Sequence, residues 1–460
     1  MPRRNITWLM LAVVVSFVCF QKANSGRRNE HARMFEIFNA VLEKVETDYV
    51  EDVPSQDLFD HALKGMIGDL DPYSAYISPD DYEELKQDLD QEFGGIGIQV
   101  ALEDDAVVVM SPLVGTPAYE AGIMAGDRIL AIDGSSTEGF QLPDAVERLR
   151  GKVGEPVELT VLHPGAKEPE DIQLERAIIE VESVQGDTHN PDGTWNFFLE
   201  DAPGIGYIRI SSFGEKTHNE VCQALKWLQD RDMQGLIIDL RTNPGGLLKS
   251  AVQISDEFVD SGTIVSTRGR GNQVVKQFEA HGPGTHRGFP IAVLVNKYSA
   301  SASEIVSACL QDHGVATIIG ERTWGKGSVQ SVIPIEDLTG RPGAMRLTTA
   351  YYWRPSERNI HRKPDAKEED EWGVTPNEGY LVKIPREQFR QLLEQRRRRD
   401  VVRPMQTDEE PEPIPDPQLA KAVEYLQSEF GTSTAEQEEL PKGAQQTKPP
   451  KPAAADDKKS

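Results

Sequence analysis

Cysteine is nearly absent: the 460 residues hold three, at positions 19, 222 and 309, too few for a disulfide framework. Cys222 and Cys309 fall in helix-like apolar patterns and are read as core thiols. No His-Glu-x-x-His and no Cys-x-x-Cys occurs, so metal catalysis has no ligand set in the sequence, and neither a metal nor an organic cofactor is expected. Basic residues are outnumbered, 49 Lys and Arg against 75 Asp and Glu for a net charge of −26, which argues against a nucleic-acid partner. Long apolar runs are scarce as well. Residues 6–20 form a fifteen-residue run behind the basic Met1-Pro-Arg-Arg-Asn5, short of the ~20 residues that span a bilayer. Ala23-Asn-Ser25 follows as a small-residue cleavage site. Residues 1–25 are therefore expected to be an export signal leading to the periplasm or cell envelope, with a membrane tether through residues 6–20 as the alternative.

What the chain does have is concentrated between Asn296 and Gln330. Ser301 sits in a run of small residues just after the apolar strand Ile291-Ala-Val-Leu-Val295. Lys326 sits between Gly325 and Gly327 after a second strand-like run, Val315-Ala-Thr-Ile-Ile319. The two are 25 positions apart, with a helix-like segment between them. A strand–helix–strand unit brings two strand-end residues to one rim of a sheet.

A serine beside a lysine is a nucleophile beside a base, provided the lysine is neutral. Its reference pKa is about 10.4, and lowering that by about three units costs roughly 4 kcal/mol. Trp324 and the Ile318-Ile319 strand are available to desolvate the ammonium, and Gly325 and Gly327 let the backbone turn sharply around it. Gln330 can hold the neutral amine by a hydrogen bond without adding charge. Acyl transfer also needs donors for the oxyanion. Ala302, directly after the serine, supplies one N–H; the Gly245-Gly246 turn after the strand Gly235-Leu-Ile-Ile-Asp-Leu240 supplies the other.

Blander readings compete at each position. A Ser-Ala repeat is often only a helix start, and Ser303 with Glu304 reads as capping and packing. Gly320-Glu-Arg-Thr-Trp-Gly325-Lys326 is a near-miss to a phosphate-binding loop, but Gly327 stands where Ser or Thr would hold the metal ion, and a strand pattern follows in place of a helix. His313 lies twelve residues after Ser301, about 18 Å along a helix axis, too far to act as its base.

The Ser301-Ala302-Ser303-Glu304 and Thr323-Trp324-Gly325-Lys326-Gly327 turns resemble the catalytic segments of the carboxy-terminal processing peptidases, or tail-specific proteases. Further landmarks fall in the same order: Leu70-Asp-Pro-Tyr-Ser74, Ile205-Gly-Tyr-Ile-Arg-Ile-Ser-Ser-Phe213, Asp239-Leu-Arg-Thr-Asn-Pro-Gly-Gly246 and Tyr351-Tyr352. The resemblance covers roughly residues 30–385. It implies Ser301 as nucleophile, Lys326 as base, Gln330 as a residue that positions the lysine, and Gly246 with Ala302 as the oxyanion hole. It also implies structural support from Asp312. The turn Trp353-Arg-Pro-Ser-Glu357 departs from the plainer Thr-Pro-Ser-Gly of many members.

A second resemblance lies upstream. Phe93-Gly-Gly-Ile-Gly-Ile-Gln-Val100 and Ala118-Tyr-Glu-Ala-Gly-Ile-Met-Ala-Gly-Asp-Arg-Ile-Leu-Ala-Ile-Asp-Gly134 together resemble a PDZ domain, the carboxylate-binding loop first and the helix, turn and strand after it. Gly95, Ile96, Gly97 and Ile98 are the expected peptide-binding positions, with backbone N–H groups for a terminal carboxylate and Ile96 and Ile98 for an apolar last side chain.

The expected fold class is thus multidomain α/β. An N-terminal helical region covers 27–90, a PDZ domain 91–165 and an α/β catalytic core 166–385. A helical segment at 386–430 and a disordered tail from 431 to 460 complete it. The expected function is an exported serine endopeptidase whose partners are proteins or peptides with free C-termini. A catalytically silent PDZ scaffold on a hydrolase-derived fold is the alternative. Homo-oligomerisation is compatible with the sequence, which sets no oligomeric state.

Overall fold

The computed structural model describes residues 30–337, 340–402 and 413–438. The expected export signal lies outside them, and no helix among the described residues is long and apolar enough to cross a membrane. The chain forms two compact units, one of the residues up to Glu84 with Gln330–Thr348, the other of Leu85–Val329 with the residues from Thr349 onward.

The first unit contains a helix over residues 30–48, a helix at Ser55–Gly68 and a short strand, Ala75–Ile77. That strand pairs antiparallel with the segment around Ala344–Arg346. The Leu70–Ser74 landmark has a local cause. The Asp71 carboxylate accepts the N–H groups of Tyr73 and Ser74 at 2.8 and 2.9 Å, the Ser74 hydroxyl at 2.7 Å and the Thr348 hydroxyl at 3.2 Å. One side chain therefore closes a turn and ties it to a strand residue 277 positions away.

The second unit is built on a five-stranded sheet: β1 (Val184–Gln185), β2 (Ile205–Ile210), β3 (Gly235–Asp239), β4 (Ile291–Val295) and β5 (Thr317–Gly320), in that order. The pairings from β2 to β5 are parallel. Such strands are covered on both faces and read as continuous apolar runs, which is what Ile-Ala-Val-Leu-Val is. Alternate side chains divide between two cores. Ile208, Ile210, Leu236, Ile238, Val293 and Ile318 pack against helices α1 (Thr217–Gln229), α2 (Leu248–Asp256) and α3 (Ala302–Asp312). Tyr207, Ile237, Ala292, Leu294 and Ile319 pack against Ala422 and Leu426 of the last helix, α4 (Pro417–Glu438). That helix continues eight residues past Phe430, where a disordered tail was expected from Gly431; residues 439–460 lie outside the described ones. A separate antiparallel ladder joins Thr263–Arg268 to Val274–Glu279 and to Tyr351–Trp353.

The PDZ-like sheet runs in the order Ile98–Glu103, Ala106–Pro112, Arg128–Ile132, Pro156–Leu162, Glu170–Glu175. Its core gathers Ile96, Val107, Ile123, Ile129, Leu159 and Val161 beneath the helix Leu142–Leu149. Ile98–Glu103 is one of its two edge strands, Glu170–Glu175 the other.

Candidate active site

Parallel register explains how Ser301 and Lys326 come to one rim. Val295 at the end of β4 is the partner of Gly320 at the end of β5. Ser301 lies six residues beyond the first and Lys326 six beyond the second. Both turns are tied down by side chains. Asn296 Oδ1 accepts the N–H groups of Thr242 and Tyr298, each at 3.0 Å. The Ser299 hydroxyl donates to the Leu240 carbonyl at 2.7 Å and accepts the Asn296 N–H at 2.9 Å. Ser299 thus welds the turn to β3, and Ser303 does the same through the Asn243 carbonyl at 3.1 Å.

Ser301 occupies φ 56°, ψ −113°, a conformation that costs a non-glycine residue on the order of 1–3 kcal/mol and persists where surrounding contacts over-determine it. The chain enters α3 at the next residue, so the Ala302 N–H is the first donor of that helix. Ser301 is 6% exposed, and its side chain hydrogen-bonds the Tyr352 phenol; burial pushes that phenol up to about 12, the bond with Ser301 pulling the other way.

Glu304, read from sequence as a cap, does more than cap. It is fully buried. One carboxylate oxygen accepts the N–H groups of Ser301 at 2.9 Å and Lys326 at 2.8 Å. The other accepts the Thr323 hydroxyl at 2.5 Å and the Gly325 N–H at 2.7 Å. The serine turn and the lysine turn therefore share a single carboxylate. Burial pushes that carboxyl up to about 7, against the pull of the four donors.

The Gly245–Gly246 turn closes on the same point. A Cβ on Gly245, at φ +103°, would lie 2.7 Å from Ser301 Cβ and 3.0 Å from the Ala302 nitrogen. One on Gly246, at φ +147°, would lie 2.1 Å from the Phe213 carbonyl oxygen, so only glycine fits. Phe213 donates its N–H to the Gly245 carbonyl and accepts that of Leu247, at 3.0 and 2.7 Å. Among the described residues neither the Gly246 nor the Ala302 N–H is spent on another acceptor.

Other expected residues fall differently. Trp324 is 51% exposed; the indole enclosing the lysine turn is Trp372, whose ring a Gly325 Cβ would meet at 2.9 Å. Ile318 and Ile319 are committed to the two cores of the sheet. Lys326 itself is half-buried. Gln330, the third residue of the strand Ser328–Glu336, donates to the Thr348 hydroxyl at 3.3 Å. His313 caps the far end of α3 and bonds the Thr263 carbonyl at 2.8 Å. Asp312 supports that end of the helix. Burial raises its pKa but is outweighed by the Arg354 guanidinium, which donates to both carboxylate oxygens at 2.6 and 2.8 Å. Arg354 belongs to the turn where the chain departs from its resemblance, so that departure serves packing.

In the PDZ-like domain, the Ile96 and Gly97 carbonyls accept the N–H groups of Ala118 and Leu113 at 3.0 and 2.9 Å. The Ile96 and Gly97 N–H groups have no such partner among the described residues. Gly95 ends the preceding strand, packed on the Phe93 ring. Ile96 is 2% exposed and belongs to the domain core; Ile98 is half-buried on an edge strand.

Comparison with known proteins agrees with this layout. Residues 204–378 match the model for peptidase family S41, 86–162 the PDZ domain, and 15–81 the activating protease CtpB N-terminal domain. The chain is 39% identical over 364 residues to a carboxy-terminal-processing protease of Bartonella bacilliformis, covering 78% of this chain and 80% of that one. It is 33% identical over 345 residues to the carboxy-terminal processing protease CtpB of Bacillus subtilis, covering 74% and 68%. Among solved structures, a photosystem II D1 C-terminal processing protease aligns at 27% identity with a TM-score of 0.41, covering 74% of this chain and 86% of that one. The chain belongs to peptidase family S41, with the carboxy-terminal processing proteases.

Proposed function

We propose that this chain is an exported serine endopeptidase that cleaves protein substrates at or near their C-termini, with Ser301 as nucleophile and Lys326 as general base. The observation that carries the reading is the shared carboxylate: the backbone N–H groups of both residues are held on one oxygen of Glu304. A base must lie within hydrogen-bond reach of the proton it takes, and fixing two turns on one buried atom is a direct way to keep their side chains in register. Gly246 and Ala302 offer the two N–H groups for the oxyanion. Gln330 takes the supporting role for the lysine. The glycine loop Gly95–Gly97 offers backbone donors to a terminal carboxylate, and the edge strand from Ile98 accepts the peptide by β-augmentation.

The test is digestion of one unstructured peptide, with free or amidated C-terminus, by the parent chain and by Ser301→Ala, Lys326→Ala and Lys326→Arg. All three variants are expected to be inactive, the last because a guanidinium stays protonated. The amidated peptide is expected to be cut more slowly. Lys326→Ala retaining more than a few per cent of the parent rate overturns the lysine assignment, and equal cleavage of free and amidated peptide by the parent chain overturns carboxylate capture.

A further inference from the structure

A cluster of metal-ligating side chains lies apart from the proposed catalytic centre. His218 and Cys222 stand one turn apart on the first half of α1, and Glu257 follows the last residue of α2. His218 Nε2 lies 2.7 Å from Glu257 Oε1. Cys222 Sγ lies 3.4 Å from His218 Nε2 and 3.5 Å from Glu257 Oε1. All three are half-buried, and their ligand atoms lie within 4.8 Å of one another.

We propose that His218, Cys222 and Glu257 form a binding site for a transition-metal dication of the Zn2+ class, with a water in the fourth position. Metal–ligand lengths of about 2.3 Å to sulfur and about 2.0–2.2 Å to nitrogen and oxygen place tetrahedral ligand atoms roughly 3.3–3.6 Å apart. Both distances from the sulfur already meet that spacing. Only the histidine–carboxylate pair must open, by about 0.6 Å, when its hydrogen bond is exchanged for two bonds to the ion. One thiolate and one carboxylate neutralise a dication. A thiolate with an imidazole also selects the zinc-like ions over Mg2+ and Ca2+.

The surroundings are those of a supported ligand set. His286 Nε2 lies 3.3 Å from Glu257 Oε2, the oxygen that faces away from His218. The Gln229 amide donates to His286 Nδ1 at 2.8 Å, which leaves the Nε2 proton on the side that faces the carboxylate. That contact favours Glu257 with Oε1 directed at the histidine and the thiol, the outer support that metal-binding carboxylates carry. A bound dication takes Cys222 as its thiolate, releasing the Cys222 proton to solvent as the sulfur–metal bond forms. The bound ion ties the start of α1 to the end of α2, the helix whose other end follows the Gly245–Gly246 turn, about 13 Å away along the axis.

The experiment uses the full chain, stripped with a chelator and titrated with Co2+ and with Zn2+ against a chromophoric competitor. One equivalent is expected to bind, with a thiolate-to-cobalt charge-transfer band in the near ultraviolet and a thermal midpoint that rises with Zn2+. Cys222→Ser is expected to abolish the band. His218→Ala and Cys222→Ser are each expected to weaken Zn2+ binding at least about 100-fold, and His286→Ala about 10- to 100-fold. Zinc binding below one equivalent, or a parent and a Cys222→Ser chain that bind alike, overturns the site. A band that survives in Cys222→Ser assigns the ion to other residues and overturns it equally.

Discussion

Asp239→Asn tests how the proposed oxyanion turn is held. Asp239 ends β3, is 2% exposed, and accepts five hydrogen bonds. They come from the Tyr207 phenol at 2.8 Å, from the Arg241 N–H at 2.9 Å, from Arg241 Nε to both oxygens at 3.0 Å, and from Arg241 Nη2 at 2.6 Å. Arg241 reaches on to Asp416 at 2.7 Å and Gln418 at 3.3 Å, at the start of α4. Asparagine keeps the shape but turns two amide hydrogens toward the guanidinium and leaves it with Asp416 as its one anionic partner here. Removing one member of a buried pair costs about 3–5 kcal/mol. At about 2–4 °C per kcal/mol for a domain of this size, the thermal midpoint falls by roughly 6–20 °C.

The pH dependence has a definite sign. Burial raises the Asp239 pKa, but the Arg241 charge and hydrogen bonds more than offset it, and the carboxyl is held below its ordinary value. The stabilisation is therefore full above the unfolded carboxyl pKa of about 3.9 and is lost as pH falls through the folded value. Urea unfolding of parent and Asp239→Asn should show a constant gap between about pH 5 and 8 that closes below about pH 4. A cost under about 1 kcal/mol at neutral pH, or a gap that persists in acid, refutes the reasoning. Because Thr242 to Gly246 follow directly, kcat/KM of the folded variant should fall as well.

Gly245→Ala must place its Cβ 2.7 Å from that of Ser301 at a positive φ; kcat/KM should drop on the order of 100-fold, in keeping with a displaced reacting group, and a parent-like rate would show that the turn yields freely. Tyr352→Phe removes the phenol bonded to Ser301 and should cost about 1 kcal/mol of stability at most. A measurable loss in kcat is expected with it; a loss equal to that of Ser301→Ala would make the phenol a catalytic group. Gly97→Ala brings a Cβ within 2.3 Å of the buried Thr116 side chain and should abolish calorimetric binding of a free-tailed peptide, while short peptides are still hydrolysed. Unchanged peptide affinity would move the capture site off this loop.

The parts of the site legible in sequence are those set by local pattern. Two apolar strands flanking a helix imply a parallel pair, and the Val295–Gly320 register turns equal offsets into adjacency. The glycines at 245 and 246 announce a turn, and their positive φ angles bear it out. What was not legible depends on partners remote in the chain. Trp324 neighbours Lys326 in sequence yet is exposed, while Trp372, 46 residues on, encloses the turn. Cys222 follows an apolar helical pattern, but the residue one turn before it and the end of the next helix surround it with ligands. The Pro, Gln, Lys, Ala and Ser content from Gly431 onward reads as a disordered tail, yet Phe430 packs where a Gly235 Cβ would lie 2.9 Å from its ring, and the helix continues to Glu438.

Glu304 shows why a capping motif and a catalytic motif cannot be separated by composition. At the third position of α3 it satisfies the helix-start pattern, and sequence offers no reason to ask more of it. A capping carboxylate needs only one donor, however, and this one takes four, three of them from residues 19 to 22 positions later. Its second oxygen anchors a loop that has no secondary structure of its own between β5 and Ser328. Thr323 makes the anchor rigid, since its hydroxyl donates to Glu304 while accepting the Val374 N–H at 2.7 Å. Both motifs, Ser-Ala-Ser-Glu and Thr-Trp-Gly-Lys-Gly, are then halves of one hydrogen-bonded object: Ser301, Ala302 and Lys326 carry the proposed chemistry, and the Thr323 hydroxyl with the Ser301, Gly325 and Lys326 N–H groups binds the carboxylate that aligns them.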